Sequence, residues 1–189
     1  AGDDLALARA QLVLDWAHRV LGRADEAGLG EQALATYERL GDLEGSGMAS
    51  NNLGGIAYFE GRWHDAERWY RRALANYHRC GNDAAAAVSA SNLGELLVSR
   101  GALSEAGALL RDAVRVLRAS NALDDLFFAE VQLGRLLLEQ GDGASALAHL
   151  RALAASLPQS TGSPAAPVYL WGPHGSGKTY LLRALADAA

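Results

Sequence analysis

The chain has 189 residues, half of them hydrophobic and about a fifth charged, which excludes a disordered chain and leaves room for one domain or a short repeat array. Its formal charge of −5 argues against a nucleic-acid surface, where a basic stripe is expected. One cysteine, Cys80, excludes an internal disulfide and points to a reducing, cytoplasmic setting. The acidic N-terminus AGDDLALARA does not read as a signal peptide, and no apolar run approaches membrane-spanning length. The missing initiator methionine suggests a fragment.

From Gly41 onward three segments align without gaps at a spacing of forty residues, beginning at Gly41, Gly81 and Asn121. They share Asn52, Asn92 and Gln132, then Leu53-Gly54, Leu93-Gly94 and Leu133-Gly134. Gly61, Gly101 and Gly141 follow, then Ala66, Ala106 and Ala146. A weaker copy precedes them, with Gly22-Arg23, Ala27 and Ala33-Leu34 at the matching places after a one-residue deletion. About four repeats of one supersecondary unit result.

Each unit reads as two helices. In the second copy, Met48 to Glu60 carries Leu53, Ile56 and Ala57 on one stripe. Gly61 then stands where a left-handed residue ends the helix. The next helix runs from about Trp63 to His78, with Ala66, Tyr70, Ala73 and Leu74 on its apolar face. Gly54 and Ala66 are expected where the two helices cross, because a larger side chain would hold the backbones apart. Asp65 and Glu105 open the outer helices near the positive end of the helix dipole. Trp63, Trp69, Tyr70 and Tyr77 read chiefly as packing between repeats. The histidines are scattered and suggest no metal site.

The Leu-Gly pair, the helix-ending glycine and the alanines at Ala66 and Ala73 resemble the tetratricopeptide repeat family; Leu93-Gly94, Gly101, Ala106 and Ala113 repeat the pattern. The fourth copy has Leu153 at the last place. The units exceed the family's usual length of about 34 residues and lack its closing proline. Longer repeats of this kind look similar to the arrays of bacterial regulatory ATPases and adenylate cyclases. The resemblance spans residues 1–157 and implies an all-α helical-hairpin solenoid that binds a protein or peptide on its concave face. On that implication Asn51, Asn52, Tyr58, Ser91, Asn92, Glu95, Gln132 and Arg135 lie on or near the groove. Asn52, Asn92 and Gln132 form a row of amides able to hold an extended partner backbone, or to bond to neighbouring helices instead. No cluster of lysines or arginines suggests a clamp for a carboxylate tail, and neither nucleic acid nor membrane is an expected partner.

Residues 158–167 hold proline, serine and glycine and read as a linker. Val168 to Trp171 is a short β-prone run, and Gly172, Pro173, His174, Gly175, Ser176, Gly177, Lys178 and Thr179 match the phosphate-loop pattern G-x-x-x-x-G-K-[ST]. Helical spacing resumes from Thr179 to Ala188. Backbone N–H groups of such a loop cradle phosphates, a lysine in the place of Lys178 reaches the β- and γ-phosphates, and a threonine in the place of Thr179 ligates Mg²⁺. The segment resembles the start of the DnaA-related AAA+ family, closest to its Hda branch, with residues 144–157 fitting either family. That resemblance implies ATP or ADP with Mg²⁺ as cofactor. No acidic strand or sensor follows within the chain, so residues 168–189 read as an incomplete ATP site that binds nucleotide feebly or not at all and does not hydrolyse it. The leading expectation is an interaction scaffold in a regulatory or signalling protein. The alternatives are the front of a DnaA-type ATPase acting in replication initiation and a recombined fusion.

Overall fold

Glycine and asparagine punctuate the chain every forty residues, and in the computed structural model, which describes residues 2–21 and 28–156, helices fill the intervals. The expected linker, β-run, phosphate loop and final helix, with Gly22, Arg23 and Ala27, lie outside the described residues. Among the described residues eight helices follow in order: α1 (Gly2–Val20), α2 (Leu29–Leu40), α3 (Leu43–Phe59), α4 (Trp63–Cys80), α5 (Asp83–Ser99), α6 (Leu103–Ala119), α7 (Leu123–Glu139) and α8 (Gly143–Ser156). They pair as four antiparallel hairpins, each packed on the next. Of residues 144–157, which fit two families by sequence, those up to 156 lie in the outer helix of the fourth hairpin, with Ala146 and Leu150 buried.

The odd-numbered helices also touch across the hairpins, α1 on α3, α3 on α5 and α5 on α7. The even-numbered helices are linked across repeats by long ion pairs such as Arg71–Glu105 at 2.8 Å and Arg72–Glu38. The odd helices therefore line the inner, concave side of a solenoid and the even helices its outer side. The ion pairs are exposed and add little to stability.

Gly61, Gly101 and Gly141 adopt φ of 73°, 77° and 82°, the left-handed region expected of them. The amide two residues past each helix closes back on it: Arg62 N–H donates to the Ala57 carbonyl at 2.8 Å and Ala102 N–H to that of Leu97 at 2.9 Å. This six-to-one bond satisfies carbonyls that a helix end leaves open. Asn121 takes the matching place after α6 at φ 56°, which its short polar side chain tolerates.

The inner helices begin earlier than their apolar stripes suggest. α3 starts at Leu43, not Met48, because Asp42 accepts a hydrogen bond from Gly45 N–H at 2.8 Å. Gly45 and Gly47 read as helix breakers, but aromatic rings need their bareness: a Cβ on Gly45 would lie 2.1 Å from the Tyr37 ring, and one on Gly47 2.9 Å from Tyr77. Asn82 caps α5 in the same way, accepting from Ala85 N–H at 3.0 Å.

The hairpin crossings fall where expected. A Cβ on Gly54 would meet the Tyr70 ring at 2.6 Å, one on Gly94 would meet Leu110 at 2.7 Å, and one on Gly134 would meet Leu150 at 2.6 Å. Ala66, Ala106 and Ala146 are fully buried beside them. The core runs continuously from α3 to α7 through Leu93, Leu96, Leu110 and Leu136, each contributing about 1.5–3 kcal/mol by burial. Tyr70 and Tyr77 are buried, as expected of packing residues, whereas Trp63 is exposed.

Gly55, one residue after the crossing glycine, has no such constraint: its Cβ would sit 3.7 Å from Trp16 and 3.8 Å from the Tyr70 hydroxyl, ordinary contact distances. Gly54→Ala should therefore cost about 1–3 kcal/mol through overpacking. Gly55→Ala should leave stability unchanged or raise it by up to about 1 kcal/mol, because alanine favours the helix interior. Thermal denaturation of the two variants, followed by circular dichroism, measures the difference.

Candidate functional site: the inner groove

Side chains of α1, α3, α5 and α7 converge on a cavity of about 320 Å³ on the inner side. Its lining includes Trp16, Asn51, Asn52, Gly55, Tyr58, Asn92 and Glu95, so five of the eight residues expected at the groove stand together in it. Phe59, Tyr70 and Phe128 complete the wall. A second cavity of about 460 Å³ is bordered by Arg9 and Val13 of α1 and Glu44, Met48 and Asn52 of α3, with Tyr37, Tyr77 and Ala85 from α2, α4 and α5. Asn52 belongs to both, which makes them adjoining parts of one groove along three repeats.

The amides divide their roles. Asn51 Oδ1 accepts from Asn92 Nδ2 at 3.0 Å and from the Ser89 hydroxyl at 3.1 Å, so it ties α3 to α5. The reading in which the amide row fixes repeat spacing thus applies to Asn92, whose amide reaches Asn51. Ser91 lines neither cavity. It is buried, and its hydroxyl donates to the Ala87 carbonyl at 3.0 Å, one helical turn back, which turns it into the packing layer. Gln132 is likewise buried, and its side-chain carbonyl lacks a hydrogen bond among the described residues.

Arg135 donates to the Ser99 hydroxyl at 3.1 Å and stands 4.0 Å from the Glu95 carboxylate, linking α7 to α5. Glu95 is only 7% exposed, an unusual degree of burial for a carboxylate and one that calls for a partner. Burial, then the Glu95 charge, pushes the Tyr58 phenol above its ordinary pKa, while hydrogen bonds with Ser99 and Arg135 and the Arg135 charge act the other way. The Tyr70 phenol is pushed up further by deeper burial and by the same carboxylate. Both hydroxyls therefore keep their protons at physiological pH.

Sequence reasoning missed five contributors, among them Tyr70, which it read as packing alone. Trp16 and Phe59 meet edge to face with centroids 5.6 Å apart, and Phe59 stacks the same way on Tyr58 at 5.8 Å. Phe128 comes from the fourth repeat, and Gly55 leaves the floor bare. With the one-residue offset of the first copy, Trp16, Gly55, Glu95 and Arg135 occupy one position of successive repeats. That row was visible as a register, but its side chains differ in type, so no shared residue marked it. A further unexpected role falls to Asp15, which is buried in α1 and accepts from Gly28 N–H at 2.8 Å and Leu29 N–H at 3.0 Å, holding the start of α2.

Residues 45–119 match the model of the tetratricopeptide repeat family. The fold is a tetratricopeptide-type solenoid. No curated protein matches the chain. Among solved structures, BtubC (BKLC) from P. vanneervenii matches with a TM-score of 0.68 and 22% identity, over 88% of this chain and 70% of that one, a likeness of fold. The tetratricopeptide match covers the second and third hairpins, which supply most of the groove wall. Among the described residues no helix is long and apolar enough to cross a membrane, and no group of three metal-ligating side chains gathers.

Asn51→Ala removes the acceptor of two side-chain donors in a partly buried place. It should destabilise the array by about 1–3 kcal/mol, read as a lower urea midpoint with an unchanged slope.

Proposed function

We propose that this chain is a protein-interaction scaffold whose concave groove holds an extended segment of a partner protein in a regulatory assembly. The observation that carries this reading is the pair of adjoining cavities that share Asn52, both lined mainly by inner helices of successive repeats, with tyrosines of the outer helices behind them. An extended strand spans about 3.3 Å per residue, so a short segment crosses several repeats. Asn52 offers a donor and an acceptor to such a backbone midway along the groove, and the aromatic wall offers a side-chain anchor. Arrays of this type present a large rigid surface, which limits the entropy lost on binding.

Selection of random peptides displayed on phage against the purified chain tests the reading. Enriched peptides should lose at least about tenfold in affinity on Asn52→Trp, which fills the junction of the two cavities, and keep it on Arg115→Glu on outer helix α6. Peptides indifferent to Asn52→Trp but sensitive to Arg115→Glu would place binding on the outer face and overturn the proposal.

A second reading rests on the complete phosphate-loop pattern from Gly172 to Thr179. Lys178 and Thr179 are proposed to serve ATP or ADP and Mg²⁺ in a DnaA-type ATPase that uses the array for recruitment. A loop of this kind needs a sheet behind it to hold its shape, and the chain supplies a single β-prone run. Equilibrium dialysis with ATP and Mg²⁺ should accordingly show a Kd above about 100 μM. A submicromolar Kd that Lys178→Ala abolishes would make nucleotide binding a property of this chain.

A further inference from the structure

The forty-residue register shows an open apolar face on the fourth hairpin. In the third hairpin, Ala87 of α5 and Val114 of α6 are buried in a core shared with Leu126 and Ala129 of α7. At its other end Val98 is 3% exposed, in a core shared with Leu133 and Leu136 of α7, and a Cβ on Gly107 would lie 3.2 Å from Leu136. All four positions therefore face the inner helix of the next repeat. One repeat later they are Phe127, Ala154, Leu138 and Leu147. The first two are half-buried and the leucines are 47% and 41% exposed, because among the described residues no helix packs on that side. Arrays of stacked repeats need their apolar end faces covered.

The charge at the edge of this face follows the same register. Glu44, in the first turn of α3, accepts at 3.0 Å from Nδ2 of Asn82, the residue that caps α5 in the next repeat. Asp124 holds the place of Glu44 two repeats on, in the first turn of α7 beside Asp125. Neither carboxylate is in an ion pair among the described residues. Two like charges side by side favour a cation at that corner.

The chain beyond α8 holds a segment that fits both features. In the inner helices the third, fourth, seventh and eighth residues after the cap turn inward: Gly45, Ser46, Ala49 and Ser50 after Asp42 are all buried. After Asn82, Ala86, Ser89 and Ala90 are buried at the last three of these places. Counted from Lys178, the four places hold Leu181, Leu182, Leu185 and Ala186, all apolar. Residues 157–178 form the connection, which extends to about 70 Å, far more than the roughly 8–10 Å between packed helices.

We propose that residues 179–188 dock on the open face as a further inner helix, with Leu182 and Leu185 against Phe127 and Ala154 and Lys178 beside Asp124. The helix runs towards Leu138 and Leu147. Held there, the lysine of the phosphate-loop pattern is withheld from a nucleotide. This goes beyond the groove reading and does not depend on it.

The test places a nitroxide at Arg183→Cys in the full isotope-labelled chain carrying Cys80→Ser. Arg183 matches Phe127 in register, so the label faces away from the array. Two-dimensional NMR then reads the broadening of backbone amide signals. The amides of Phe127 and Ala154 should weaken several-fold relative to those of Ala8 and Leu12 in α1. Leu182→Asp should restore their intensity, and Asp124→Lys should restore part of it. Adding Lys178→Asp to Asp124→Lys reverses both charges and should bring the broadening back. No weakening at Phe127 and Ala154, or weakening that survives Leu182→Asp, would overturn the docked helix. Weakening seen only when nitroxide-bearing chain without isotope is mixed with isotope-labelled chain without nitroxide would also overturn it and give the face to a second copy. The groove reading stands or falls separately, because neither Asn52 nor the two cavities enter this experiment.

Discussion

Everything in the array depends on how closely the two helices of a hairpin approach at Gly54, Gly94 and Gly134. With no side chain on the inner helix, Tyr70, Leu110 or Leu150 of the outer helix lies directly on its backbone. That contact sets the spacing of the pair, and the forty-residue period reproduces it three times. Successive inner helices are then brought side by side, which gives the solenoid its inward face. Tyr70 shows how directly packing passes into the groove. Its ring presses on Gly54, while its hydroxyl reaches the cavity beside Gly55 and stands in the field of Glu95.

The inner and outer layers divide the chemical work. Arginines and carboxylates on the outer helices pair in exposed bridges between repeats, such as Arg71–Glu105, which are replaceable one by one. The inner layer buries a few of its charges, with Glu95 against Arg135 and Asp15 against two backbone amides. Buried polar groups of this kind are costly unless every partner is in place, so they hold neighbouring helices in one register. The amide of Asn92 on Asn51 acts in the same sense. A groove whose walls are tied in this way is rigid before a partner arrives.

Much of this was legible in the sequence because period and small-residue placement are backbone requirements. Gly61, Gly101 and Gly141 stand where left-handed turns require them, and Gly54 and Ala66 stand where helices cross. What escaped was decided by contacts between repeats. The start of α3 was hidden by Gly45-Ser46-Gly47, which weaken a helix in isolation and here make room for Tyr37 and Tyr77. Ser91 shares a repeat position with Asn51, yet its short hydroxyl bonds back along its own helix and lines neither cavity. Trp16 and Phe128 reach the cavity from the first and fourth hairpins, and no local pattern relates positions more than a hundred residues apart. The residues from 157 onward were read from a motif alone, and their phosphate-loop chemistry stands on that motif.

The most direct test of the central claim is a set of nuclear Overhauser contacts to the crossing glycines in the labelled chain. The account predicts contacts from the Gly54 α-protons to the Tyr70 ring, from Gly94 to the Leu110 methyls and from Gly134 to those of Leu150, with Gly54 shifted by the ring current. Contacts from these glycines to residues a helical turn away, or a different partner in each hairpin, would contradict the shared register on which the groove depends.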